Sequence, residues 1–158
     1  MSIREAILAD IPEMHRIRMA VKENVLTNPL AVQEADYVPF LSLPNKGWVC
    51  EISDQIVGFS MVDVTGNEVW ALFVDPTFEA QGVGSGLHDI LVNWYFAQGE
   101  EELILGTEVG TRAENFYRHK GWKASGQKSN GEIIFKANRN GTKIRFVKAT
   151  ADDWTKLS

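Results

Sequence analysis

The sequence predicts an α/β (α+β) domain built on a mixed, twisted sheet of about seven strands with about four helices. Three observations predict it. β-rich runs joined by short turns occupy residues 48–74, the pattern of antiparallel strands. Residues 69–87, VWALFVDPTFEAQGVGSGL, then pass from an apolar strand pattern through three alternate glycines, Gly82, Gly84 and Gly86, into a helical apolar pattern. That helix leads to a further strand, the arrangement of a right-handed parallel crossover. With 158 residues, 44% hydrophobic and 23% charged, the chain is long enough for one domain with its own core.

Residues 3–6 form the first strand. Asp10 and Glu13 have the spacing of a capping box, and Pro12 sits in the first turn, where its missing N–H does no harm. Ile11, Met14, Ile17 and Val21 recur at helical spacing, so the first helix covers 11–23. Arg16, Arg18 and Lys22 then fall nearer solvent, and His15 reads as a surface residue. Asn28-Pro29 breaks the pattern, and 31–41 reads as a shorter second helix weakened by Pro39. Residues 48–52 and 56–64 form a hairpin about Ser53-Asp54-Gln55, and Gly66-Asn67 turns the chain into a strand at 68–74. After the glycines, Leu87, Ile90, Leu91, Trp94 and Tyr95 line one helix face, and Gly99 ends that helix. A strand at 103–107 and a helix at 111–119, stopped by Gly121, follow. Asn-Gly turns at 130–131 and 140–141 join β-rich runs at 122–128, 132–137 and 143–147. The expected organisation is a single domain over 1–148 and a loosely packed tail at 149–158. Trp48, Trp70 and Trp94 fall within apolar periodic runs and read as core.

Composition narrows the function. A net charge of −5 without a cluster of Lys and Arg disfavours nucleic acid, whose affinity rests on neutralising phosphates. It is compatible with a cationic small substrate. Cys50 is the single cysteine, so neither an internal disulfide nor a cysteine zinc cluster is expected, and it reads as a small buried apolar residue. No metal site is expected. No segment is apolar enough to span a bilayer, and the start, MSIREAILAD, lacks the apolar run of a secretory signal, so the expected location is cytoplasmic with no membrane partner.

The glycine stretch is the candidate ligand site. Glycine lets backbone approach a ligand, and a helix start leaves N–H groups unpaired, so the arrangement holds phosphate without needing a basic side chain. A dinucleotide-binding turn would use GxGxxG directly after a strand, with Glu108 placed as the ribose acid. Here the spacing is GxGxG, and residues 75–81 intervene. A P-loop requires Gly-Lys-Ser/Thr, whereas Gly86 is followed by Leu87 and His88.

Residues 69–87 together with AENFYRHKGW at 113–122 resemble the GNAT superfamily of acyl-CoA-dependent N-acyltransferases. In its first motif, [QR]-x-x-G-x-[GA] after a strand, main-chain N–H groups cradle the CoA pyrophosphate. The matching stretch is Glu79-Ala80-Gln81-Gly82-Val83-Gly84, continuing to Ser85 and Gly86. The second motif, N-x-x-A-x-x-F-Y followed by Gly-Phe, is matched by Ala113, Phe116, Tyr117, Gly121 and Trp122. The resemblance implies a GNAT-type fold over most of the chain, with acetyl-CoA as co-substrate and an amine acceptor as second substrate. A homodimer is left open. Glu79 replaces the usual Gln or Arg, so its carboxylate must turn from the phosphates while main-chain donors, aided by the Gln81 amide, hold them. Gly110 replaces the Asn that would contact the pantetheine arm.

Amine acylation by a thioester needs a neutral amine, a donor for the oxyanion and a proton for the thiolate. A lysine-like amine has a reference pKa of about 10.4, so a base helps, directly or through water. The resemblance points to Glu68, at the start of the strand leading to the glycines, with Asp63 and Glu108 as lesser candidates. It implies Tyr117 as general acid and the main-chain N–H groups of Leu72, Phe73 and Val74 as the carbonyl-binding donors. The acceptor then enters past residues 25–29. The leading function is an N-acetyltransferase acting on a primary amine of a small molecule or peptide in a ternary complex. The alternative is a non-catalytic acyl-CoA-binding module or sensor.

Overall fold

The computed structural model describes residues 1–21 and 32–140. Among the described residues, strands β1 (Ser2–Glu5), β2 (Lys46–Ile52), β3 (Gln55–Asp63), β4 (Glu68–Val74), β5 (Glu102–Thr107), β6 (Lys123–Gln127) and β7 (Ile133–Asn138) form one sheet. Its order is β1-β2-β3-β4-β5-β7-β6. All neighbours are antiparallel except β4 and β5, which are parallel, so the expected mixed sheet is present. Among the described residues three α-helices accompany it: α1 (Ile11–Ala20), α2 (Val83–Ala97) and α3 (Arg112–His119).

Two local expectations need correction. Helix α1 ends at Ala20, because Val21 is already extended at φ −77 and ψ 115. The second helix is a 3-10 run, Glu34–Leu41, with Pro39 inside it. Proline has no N–H to continue an α-helical ladder, so the tighter form takes its place. The Asn28-Pro29 break, the Gly141 side of the second Asn-Gly turn, the run at 143–147 and the tail at 149–158 lie outside the described residues.

Two apolar layers cover the sheet. Against one face α2 packs Leu87, Ile90, Leu91 and Tyr95 onto Trp48, Val57, Leu105 and Phe135. On the other, α1 packs Met14 and Ile17 with Tyr37 onto Phe59, Met61 and Phe73. Burying one such side chain fully is worth about 1.5–3 kcal/mol, so these layers hold both helices. Gly58 in β3 lets α2 come close: a Cβ there would meet Val83 Cγ1 at 2.9 Å, Leu87 Cδ1 at 3.0 Å and the Phe73 carbonyl at 3.0 Å. Trp48 is buried, and Trp94 meets it edge-on at 5.6 Å. Cys50 is fully buried, as expected of a small apolar residue.

Strand β4 contains one extra residue. Its register with β3 passes from Ala71↔Met61 to Val69↔Val62, leaving Trp70 as a bulge. The bulge reverses which edge each residue presents. Before it, the Asn67 carbonyl accepts from Ile104 N of β5 at 2.8 Å; after it, Asp75 N donates to Val57 O beside β3 at 2.8 Å. The alternation of a strand then turns the N–H groups of Leu72 and Val74 toward β5 and that of Phe73 toward β3.

Candidate active site

β4 and β5 pair only at Glu68↔Ile104, near the start of both strands. Tyr95 fastens that end, its hydroxyl lying 2.5 Å from Asn67 Oδ1 and 2.7 Å from the Glu102 carbonyl, between which its one proton is shared. Beyond the single pair the strands part, and a cavity of about 900 Å³ opens. Leu72, Phe73 and Val74 line it, but the strand alternation aims only the Leu72 and Val74 N–H groups into the gap. Of the three expected carbonyl-binding donors, Phe73 therefore contributes its side chain rather than its N–H.

The start of α2 forms the adjoining wall. Gly82 is the N-cap residue in left-handed conformation, φ 85, and offers no side-chain cap. Gly86 N bonds back to Gly82 O at 3.0 Å, which leaves the N–H groups of Val83, Gly84 and Ser85 without intrahelical acceptors. A helix start of this kind attracts anions. Glu79, Ala80, Gly82, Val83, Gly84 and Ser85 line the cavity with Phe116 and Tyr117, whereas Gln81 is exposed and Gly86 is buried beneath the helix, both off the cavity wall. A phosphate-bearing arm fits these donors. The cradle also stays open at Gly84, whose imagined Cβ would be 3.4 Å from Val74 and 3.9 Å from Phe116.

Two basic side chains stand at this wall that the glycine pattern did not foretell. Arg112, in the first turn of α3, pairs with Glu79 and so neutralises the carboxylate that replaces the usual Gln or Arg. Lys120, just past α3, donates to Ser85 Oγ at 2.6 Å and Asp89 Oδ1 at 3.1 Å. Ser85 and Asp89 are one turn apart on α2, which is legible in sequence; the lysine that joins them comes from another helix. At Gly110, φ is +79 and the N–H donates to Glu114 Oε1 at 2.8 Å, so this residue shapes the entry to α3.

Beneath the wall, Trp122 Nε1 donates to His88 Nε2 at 2.9 Å. His88 must therefore carry its proton on Nδ1, which gives it to Asp89 Oδ1 at 2.8 Å. Burial holds His88 below the usual histidine pKa, more than Asp89 raises it. Burial would raise the Asp89 carboxyl, but the bonds from His88 and Lys120 outweigh it and the net shift is downward. A histidine kept neutral in the fold gains a proton on unfolding, so its contribution is complete above about pH 6.5 and falls as pH drops below that. Melting temperature should decline from about pH 6.5 toward pH 5, before carboxylates titrate, and the decline should flatten in His88→Gln.

Tyr117 is 7% exposed, on the cavity wall, with ring centroids of Phe116 at 5.2 Å and Trp122 at 5.6 Å. Burial alone pushes its phenol well above the ordinary value, so it stays protonated at neutral pH. Glu68 is not on the cavity wall. Val69 packs toward α2 and Trp70 toward α1, so Glu68 shares the α1 face; its carboxylate lies 3.6 Å from Lys128 Nζ. Lys128 reaches it across Gly106, where a Cβ would meet the lysine at 2.7 Å. Of the lesser candidates, Glu108 lines the cavity and Asp63 accepts from Gly66 N at 3.0 Å inside a turn. His15 is not a free surface residue: its Nδ1 lies 3.0 Å from the Tyr37 hydroxyl. Residues 25–29 fall outside the described residues. Among the described residues no helix is long and apolar enough to cross a membrane, and no His, Cys, Asp or Glu cluster could hold a metal.

Comparison with known proteins agrees with this fold. The ribosomal-protein-S18-alanine N-acetyltransferase from Escherichia coli superposes with TM-score 0.70 at 17% identity, covering 94% of this chain and 96% of that one. The aminoglycoside 6'-acetyltransferase type Ii gives 0.72 at 17%, covering 95% and 100%. The PaiA N-acetyltransferase from Thermoplasma acidophilum, in complex with coenzyme A, gives 0.70 at 13%, covering 86% and 97%. A search of curated protein sequences finds no match. Residues 11–122 match the family model of the acetyltransferase (GNAT) family, a span that includes the glycine cradle, the parted strands and Tyr117, and the chain belongs to that family.

Proposed function

We propose that the protein moves an acetyl group from acetyl-CoA to a primary amine of a small molecule or peptide, by direct attack in a ternary complex. The observation that carries this reading is the parting of β4 from β5 directly in front of an uncapped helix start, with Tyr117 on the same cavity. The main-chain donors of Val83, Gly84 and Ser85 hold the pyrophosphate, helped by Lys120. The pantetheine arm lies in the gap between the strands. There the Leu72 and Val74 N–H groups bind the thioester carbonyl and stabilise the oxyanion that forms as the amine attacks. Tyr117 gives its proton to the departing thiolate. Glu68, on the α1 face, takes the acceptor's proton through water.

Incubation with acetyl-CoA and a panel of amines, followed by free thiol, tests the reading. Acceptor-dependent thiol release is the expected outcome. CoA binding without it would instead favour a non-catalytic binding module, and absence of CoA binding would remove both readings.

The Glu79–Arg112 pair has its own test. Arg112→Ala leaves the Glu79 carboxylate unneutralised beside the phosphates and should weaken CoA binding on the order of tenfold at low salt, less at high salt. Glu79→Gln in the same chain should restore most of that loss, as read by calorimetry.

A further inference from the structure

Behind the cavity wall, α2 buries an imidazole that belongs to neither the cavity lining nor the solvent-facing surface. His88 is 2% exposed, and its ring meets those of Phe116, Trp122 and Tyr117 with centroids at 5.5, 6.0 and 6.2 Å. An apolar ring would fill that place without burying two polar nitrogens. The nitrogens are what the place requires. A neutral imidazole carries one donor and one acceptor on a rigid ring, and here they are engaged by different parts of the chain. Burial keeps the ring neutral, and a second ring N–H would be set against the indole N–H of Trp122.

The donor edge leads to the phosphate cradle. Asp89 Oδ1 accepts both from His88 Nδ1 at 2.8 Å and from Lys120 Nζ at 3.1 Å, so the oxygen that steers the lysine is itself fixed by the imidazole. Lys120 Nζ also donates to Ser85 Oγ at 2.6 Å and lies 5.8 Å from the Phe116 centroid. An ammonium has three donors; with two on the protein, one is left for a phosphate in the cavity that Ser85 and Lys120 line. The acceptor edge leads to the proposed acid. Trp122 Nε1 donates to His88 Nε2 at 2.9 Å, and Trp122 N donates to the Tyr117 carbonyl at 3.0 Å, so the indole bond ties down the segment that closes α3 behind Tyr117. We propose that His88 is a positioning residue for both halves of the site: through Asp89 it holds Lys120 at the cradle, and through Trp122 it holds Tyr117 where its hydroxyl meets the thiolate. This rests on the acetyltransferase reading above. One ring, out of reach of either substrate, then sets CoA affinity and proton delivery together.

Double-mutant cycles test it, with CoA affinity from calorimetry and kcat from thiol release. His88→Phe keeps a ring and removes both bonds; it should weaken CoA binding about tenfold and lower kcat about tenfold, the worth of one hydrogen bond on each side. In a Lys120→Met background the same substitution should leave affinity within about twofold, and in a Tyr117→Phe background it should leave kcat within about twofold, because the group through which His88 acts is already gone. Losses that add in full in either background, or no loss in His88→Phe itself, overturn the inference. His88→Gln, whose amide keeps a donor and an acceptor, should recover part of both losses. Where His88→Phe does not fold, Trp122→Phe decides, since it deletes only the indole N–H: kcat should fall while CoA affinity stays within about twofold, and an equal loss in both, or in neither, overturns the inference. CoA binding without acceptor-dependent thiol release would end the acetyltransferase reading alone. The affinities then decide for His88: weakening by His88→Phe that disappears in Lys120→Met upholds its role at the cradle, and equal weakening in both overturns it.

Discussion

Tyr117→Phe is expected to lower kcat by about a hundredfold or more, the range of a positioned general acid, with acetyl-CoA affinity changed by less than about twofold. The ring stays packed against Phe116 and Trp122, so only the proton donor is removed. The same hydroxyl predicts the alkaline side of the pH profile. A raised pKa means that the acid form persists as pH increases, so no falling limb belonging to Tyr117 should appear below about pH 10. The raised pKa also makes the phenol a weaker acid toward a thiol of about 8.5, a mismatch that narrows where the cavity desolvates the thiolate as well. A Phe variant with wild-type turnover would assign the proton to water and leave Tyr117 as a wall of the cavity.

Gly58→Ala should destabilise the fold by about 1–3 kcal/mol and weaken CoA binding in the same variant. The added methyl meets Val83 Cγ1, Leu87 Cδ1 and the Phe73 carbonyl at 3.0 Å or less; the carbonyl is main chain, and the two methyls belong to fully packed core side chains with little room to turn away. Relief comes most easily by lifting the first turn of α2 from the sheet, and that turn carries the cradle. Urea melts read the stability, and calorimetry reads the CoA affinity. Lost stability with unchanged affinity would mean that strain spreads along β3 instead. Gly84→Ala is the control for stability alone, since within the protein its methyl would find only ordinary contacts, at 3.4 and 3.9 Å.

What was legible in the sequence was local. Helix α2 was readable because Leu87, Ile90, Leu91 and Tyr95 repeat on one face, and all four are buried in the structure. The strands were readable because turns such as Ser53-Asp54 and Asn130-Gly131 bound them; Ser53 and Asp54 indeed take positive φ of 51 and 63. Arg18 was misread because helical periodicity separates faces by angle alone, and a long side chain at the edge of the apolar stripe can fold over Trp70 and Phe73. The partners at the site were hidden for a different reason. Glu79 with Arg112, Ser85 with Lys120 and His88 with Trp122 join α2 and its preceding loop to α3 or the residues just after it, and no spacing within one segment encodes them. Sheet order was hidden likewise, since β7 rather than β6 lies beside β5.

The extra residue at Trp70 makes β4 a strand with two phases. Upstream its odd-numbered residues address β5; downstream the even-numbered ones do, and Leu72 and Val74 inherit that direction. The donors are main-chain atoms, so the chemistry at the gap depends on how many residues lie between Ala71 and Asp75 more than on which they are. Side chains along this segment can vary widely while the count holds. Deleting Trp70 would only restore a regular ladder, since Val69↔Val62 and Ala71↔Met61 would become successive pairs. Deleting Phe73 would instead turn the Val74 N–H toward β3 and its side chain to the α1 face, an arithmetic constraint on evolution that leaves little trace in residue identity.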